Sequence, residues 1–149
     1  MSMAATVAVL ALSMVTAPVA LGKGRPLAAS LTGANEVPGP GDPDGSGTAR
    51  LRLNQGKGRI CYAIEVTGIV LPATAAHIHV GATGVSGAPV VTLGVPAADG
   101  TVEGCVEGVA KATIKAIRKH PADYYVNVHD STYQAGAVRG QLRKAAPAQ

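Results

Sequence analysis

Thr48-Ala49-Arg50-Leu51-Arg52-Leu53-Asn54-Gln55-Gly56-Lys57-Gly58-Arg59-Ile60-Cys61-Tyr62-Ala63-Ile64-Glu65-Val66 holds two alternating runs around a polar, glycine-bearing break. An extended chain points successive side chains to opposite faces. Ala49, Leu51 and Leu53 therefore share one face and Arg50 and Arg52 the other. In the second run Ile60, Tyr62, Ile64 and Val66 fall together, opposite Cys61, Ala63 and Glu65. Two half-buried strands joined by residues 54–58 make a β-hairpin.

The rest of the chain is consistent with that start. Nineteen glycines and ten prolines in 149 residues exclude a helical bundle, because both residues weaken helix interiors. The length suits one domain. An apolar fraction of 47% excludes wholesale disorder. With no Phe or Trp, the core has to be built from Val, Leu, Ile and Ala. Further strands are expected at residues 28–37, 75–80, 89–95, 100–106, 124–129 and 137–142. The segment 38–47, with three prolines and four glycines, reads as an exposed loop. One helix is expected over residues 110–119, with Ala110, Ile114 and Ile117 on its buried face and His120-Pro121 as its stop. The tail from Lys144 reads as frayed. The expected fold is all-β, an antiparallel Greek-key β-sandwich or flattened barrel of about eight strands with one short helix.

Residues 1–22 carry no charged side chain and contain a long apolar run that ends in Ala17, Ala20 and Gly22. This matches a secretory signal peptide, and Ala20-Leu21-Gly22 best fits the small-x-small cleavage pattern. The competing reading is an uncleaved membrane anchor, since about 20 apolar residues span a bilayer. Lys23 and Arg25, just past the segment, favour that rival under the positive-inside tendency. The expected location is secreted, periplasmic or cell-surface, with residues 23–149 as the mature domain. An even number of cysteines in an exported chain suggests a Cys61–Cys105 disulfide; two buried thiols are the alternative. The net charge of +4 is modest and scattered, so a nucleic-acid partner is not expected.

Chemistry concentrates in Ala76-His77-Ile78-His79-Val80-Gly81. In a strand, His77 and His79 project from one face about 7 Å apart, with Ile78 and Val80 turned to the core. In Tyr124-Tyr125-Val126-Asn127-Val128-His129, the same alternation puts Tyr125, Asn127 and His129 on the polar face. If the two strands are neighbours, three imidazoles converge into a site for copper or zinc. The alternative is that the histidines bond to backbone and order the glycine-rich loop 81–87. That loop lacks the Lys-Ser/Thr and following helix of a phosphate-binding P-loop. Arg139 reads as a strand residue able to attract an anion or to pair with Asp130. His120 suits a helix C-terminus better than a metal. No hydrolytic triad is legible, and no catalytic residue is assigned.

Four ordered segments carry a family resemblance. Leu31-Thr-Gly-Ala-Asn-Glu-Val-Pro38, Ala76-His-Ile-His-Val-Gly81 with Gly87-Ala-Pro-Val-Val91, Tyr125-Val-Asn-Val-His129 and Gly136-Ala-Val-Arg-Gly-Gln-Leu142 together resemble the CHRD domain, over residues 28–143. That module is named after chordin and is also found in exported bacterial proteins. In chordin it belongs to an extracellular antagonist of growth-factor signalling; the bacterial members have no agreed activity. A more distant resemblance, to Cu,Zn superoxide dismutase, rests on the order of the His-x-His pair, the later strand histidine and Arg139. It implies a copper site on His77, His79 and His129, without a counterpart of the bridging histidine. Tyr125, Asn127 and Arg139 are expected to support the ligands from behind or to contact an anion. Three functions follow: a binding module holding copper or zinc, a metal-free structural or adhesive module with an extracellular or envelope partner, and a dismutase-like redox enzyme. A membrane contact is expected only if the N-terminal segment stays uncleaved.

Overall fold

The computed structural model describes residues 21–146. The expected signal segment therefore lies outside the described residues, apart from Leu21 and Gly22. The strands are β1 (Arg25–Thr32), β2 (Ser46–Asn54), β3 (Arg59–Thr67), β4 (Ala75–Val80), β5 (Pro89–Thr92), β6 (Thr101–Val106), β7 (Tyr124–His129), β8 (Val138–Gln141) and β9 (Arg143–Lys144). They form one antiparallel sheet in the order β5-β4-β7-β8-β1-β2-β3-β6, with β9 beside β1, curled into a nearly closed barrel.

The β2–β3 hairpin pairs as its alternation predicts, from Ser46 opposite Thr67 to Asn54 opposite Arg59. Its turn is closed by the Asn54 side chain, which accepts from the Lys57 amide at 3.1 Å, and by Gly58 at φ +64°. The inward faces pack Leu27, Leu31, Leu51, Ile60, Ile64, Ile78 and Val126 into one core, all essentially without solvent contact. The helix α1 (Lys111–Lys119) adds Ile114 and Ile117 to that core. Ala110, expected on its buried face, is exposed and stands just before the first turn. Tyr62 crosses the seam of the barrel: its hydroxyl accepts from the Gly94 amide at 2.7 Å, on the connection between the two edge strands β5 and β6.

Cys61 and Cys105 are directly opposite in the β3–β6 pair and are joined as a disulfide. A cross-link over 44 residues stabilises by about 2–4 kcal/mol, mainly by restricting the unfolded chain.

Several boundaries differ from the sequence reading. The first strand starts earlier and stops at Thr32 rather than Val37, because Gly33–Asn35 turn into a short 3-10 helix. Gly33 spends its backbone bonds on the following loop, giving its amide to Gly45 and accepting from Gly41. That loop is not wholly exposed: Gly41 and Gly45 are buried where it folds back over the barrel end. β5 ends at Thr92, beyond a bulge opposite Ile78 and His79. Val80 is 40% exposed at the end of β4, so only Ala76 and Ile78 of that strand reach the core. Arg143 and Lys144 pair with Ala28 and Leu27, which holds the start of a tail that composition predicts to fray.

Candidate metal centre

β4 lies between β5 and β7, and its register with β7 sets Ala75 opposite His129, His77 opposite Asn127 and His79 opposite Tyr125. His77, His79, Tyr125, Asn127 and His129 thus share the outer face, while Ala76, Ile78, Val126 and Val128 are buried inside. His77 meets His129 on the diagonal, Nδ1 to Nε2 at 3.3 Å. The ring centroids of His77 lie 5.4 Å from His79 and 5.2 Å from His129. One nitrogen of each of the three imidazoles lies within 4.8 Å of the others.

Hydrogen bonds fix which nitrogens are free. A carbonyl only accepts, so His79 Nδ1, 2.8 Å from the Gly87 oxygen, carries its proton. His129 Nδ1, 2.9 Å from the Gln134 oxygen, does the same. Both Nε2 atoms are left as lone pairs. His79 Nε2 is buried and has no hydrogen-bond partner, and His129 Nε2 faces His77. Orienting an imidazole by a bond to its other nitrogen is the usual support for a metal ligand. Burial holds His77 below the ordinary imidazole range, with further lowering from His129 and His79. Burial also lowers His79, against the opposing effect of its bond to Gly87. Neutral rings are what a metal requires.

The set fits a small transition-metal ion. Two nitrogen ligands at 2.0–2.1 Å and tetrahedral angles stand about 3.3–3.4 Å apart, the separation that His77 Nδ1 and His129 Nε2 have, with the proton His77 shares with His129 given up when an ion binds. The third nitrogen has to close by at most about 1.4 Å. Three protein nitrogens would leave a tetrahedral ion one position for a further ligand. No fourth His, Cys, Asp or Glu joins the cluster among the described residues.

The other expected contacts are arranged differently. Tyr125 stacks on His79 at 4.8 Å, and its hydroxyl accepts from the Gly87 amide at 3.2 Å. Asn127 is on the outer face of the sheet, but loops cover it. It is 3% exposed, and Nδ2 donates to Glu36 at 2.6 Å rather than meeting the histidines. Arg139 does not pair with Asp130. Its guanidinium lies 3.5 Å over the Tyr125 ring, and Nη2 donates to the Ala82 and Val85 carbonyls, each at 3.0 Å. It fastens the glycine-rich loop. Gln141 assists, with Nε2 donating to Gly81 and Ala122. Asp130 is fully buried and accepts from the Val70, Thr132 and Tyr133 amides.

Glu36 is the residue that sequence reasoning missed. It is a 6% exposed carboxyl at the end of the opening segment, and burial raises its pKa to about 7 despite Arg139 and its bonds from Val37 and Asn127. A carboxyl raised in the folded state stabilises most at pH below the unfolded value of 4.5, and that contribution is lost as pH rises through about 7. In urea melts the protein is expected to lose about 3 kcal/mol over that window. Glu36→Gln should flatten the slope; an unchanged slope would place the titration elsewhere.

A nearly closed antiparallel barrel with three histidines converging on its outer face defines the class of protein. The family model for the CHRD domain matches residues 27–142, and the chain belongs to that family. No curated protein matches the chain. No helix among the described residues is long and apolar enough to cross a membrane.

Proposed function

We propose that this is an exported CHRD-domain binding module that holds one copper or zinc ion on His77, His79 and His129. The observation that carries the reading is His79 Nε2, a buried lone pair without a partner, in a ring whose other nitrogen is committed to the Gly87 carbonyl. An orphaned buried acceptor costs stability unless something fills its place. The two imidazoles nearest to it complete a donor set that suits copper or zinc. Export to a secreted, periplasmic or cell-surface location is supported by the disulfide and by the uncharged residues 1–22.

The second reading is a metal-free structural or adhesive module with an extracellular or envelope partner. It is favoured by the carbonyl bonds of His79 and His129, which give both rings a role in ordering the 81–87 and 131–136 loops. The dismutase-like reading ranks third, because Arg139 is 1% exposed and engaged with loop carbonyls.

The test is titration of the oxidised protein with Cu²⁺, Cu⁺ and Zn²⁺, with bound metal counted by native mass spectrometry. One equivalent held at sub-micromolar free metal is expected. Weak binding without fixed stoichiometry would leave the histidines as structural residues.

A further inference from the structure

A second place on the molecule has unspent binding capacity, and none of the three histidines lines it. A cavity of about 350 Å³ opens between the 33–37 segment, the 82–85 loop and β8. Its walls include Ala34, Asn35, Glu36, Thr83, Arg139 and Gln141. That volume is at the small end of the range for ligand pockets, about 300–1,000 Å³.

We propose that this cavity binds a small carboxylate-bearing molecule, with Arg139 as its charge partner. Arg139 is 1% exposed and permanently cationic. Its Nη2 is used up, on Ala82, Val85 and, at 3.3 Å, the Gln141 side chain. Its Nη1 is buried and has no hydrogen-bond partner. The ion pairs among the described residues are Arg50–Glu65 and Arg59–Glu107, so Arg139 makes no contact ion pair with Glu36, although it favours the ionised form of Glu36 and both line the cavity. A buried cation with one unpartnered donor nitrogen, in a residue that lines a ligand-sized space, favours an oxygen anion.

Glu36 decides which anion. Phosphate, which is mainly the dianion above neutrality, would there set two charges beside a carboxyl on the same wall. A carboxylate brings only one. Burial also keeps Glu36 ready to take up a proton near neutrality, which relieves repulsion from a single ligand carboxylate. Asn35 Nδ2 donates to the Arg139 carbonyl at 3.3 Å and braces the wall that carries the guanidinium. Thr83, which carries a hydroxyl, also lines the cavity.

The experiment is a titration of the metal-free, oxidised protein at pH 7.5, where phosphate is mainly the dianion, so that its outcome does not depend on metal at the histidines. Acetate, lactate, succinate and inorganic phosphate are the probes. The amides of residues 34–36 and 83–85 and the Arg139 Nε–H are followed by NMR. Saturable shifts with acetate or lactate at millimolar concentration or below are expected. Ala34→Phe, which fills the cavity from its exposed rim, should weaken them at least tenfold, and Arg139→Lys likewise. Ala34→Phe keeps the test valid if Arg139→Lys fails to fold. Absence of saturation with every carboxylate, equal binding in Ala34→Phe, or response to phosphate alone would each overturn the proposal.

Discussion

Changing His77 and His79 together to alanine is expected to abolish stoichiometric copper or zinc binding, with an affinity loss of at least about a thousandfold, or about 4 kcal/mol. The double variant keeps one imidazole of three, and a single imidazole binds an ion no better than a free ligand in water. The fold should survive. Both side chains are only half-buried on the outer face, and Ala76 and Ile78, which anchor β4 in the core, are untouched. What the fold loses is the stack of His79 on Tyr125 and the bond to Gly87. Competition against a chromophoric chelator gives the affinities, and circular dichroism checks the fold. One equivalent retained by a folded double variant would move the metal elsewhere. In the wild type, protons compete for the same lone pairs, so affinity should fall with falling pH. The lowered pKa values of His77 and His79 move their share of that fall below the ordinary imidazole range.

Asp130→Ala is expected to be the most destabilising single change outside the core, by about 5 kcal/mol. The carboxylate has no solvent contact and accepts three amides, Val70 at 2.9 Å, Thr132 at 2.8 Å and Tyr133 at 2.6 Å. Removing it leaves three donors without an acceptor, at roughly 1–3 kcal/mol each. Two of those amides begin the loop whose Gln134 carbonyl orients His129, and the third belongs to the crossover from β3 to β4. The variant should therefore lose metal affinity as well as stability, even though Asp130 is not placed among the ligands. Chemical denaturation measures the first effect and chelator competition the second. Asp130→Asn, which keeps one acceptor oxygen, should lie between. A loss under about 1 kcal/mol in Asp130→Ala would show that solvent replaces the carboxylate.

Much of the barrel is legible in the sequence because alternation is local. The Leu51 and Ile60 faces, the β4 faces and the β7 faces all follow from a period of two. Convergence of the three histidines is not local. It needs β4 and β7 to be adjacent and in one register, and nothing within either segment encodes that. The misreadings share a second cause. Asn127 alternates outward as expected and Arg139 lies opposite it in β8, but outward here means beneath the 33–45 and 81–87 loops, and the covering comes from glycine-rich segments without a periodic signal. Glu36 stood inside the motif that gave the family away, yet a buried carboxyl looks in sequence like any loop acid. The Arg139–Asp130 pairing failed because each group had closer claims, one from loop carbonyls and the other from loop amides.

The position of the disulfide has a consequence for assembly. In the oxidised unfolded chain, Cys61–Cys105 closes a covalent ring that contains β4 and β5, and with them His77 and His79. His129 lies outside that ring, on a strand synthesised later. The first two histidines, two residues apart, travel together in any case, and the bridge keeps their strand within the ring that joins β3 to β6. The third arrives only when β7 docks against β4. A metal taken up by all three would act as a latch on that docking, fastening the half of the barrel that the disulfide does not reach.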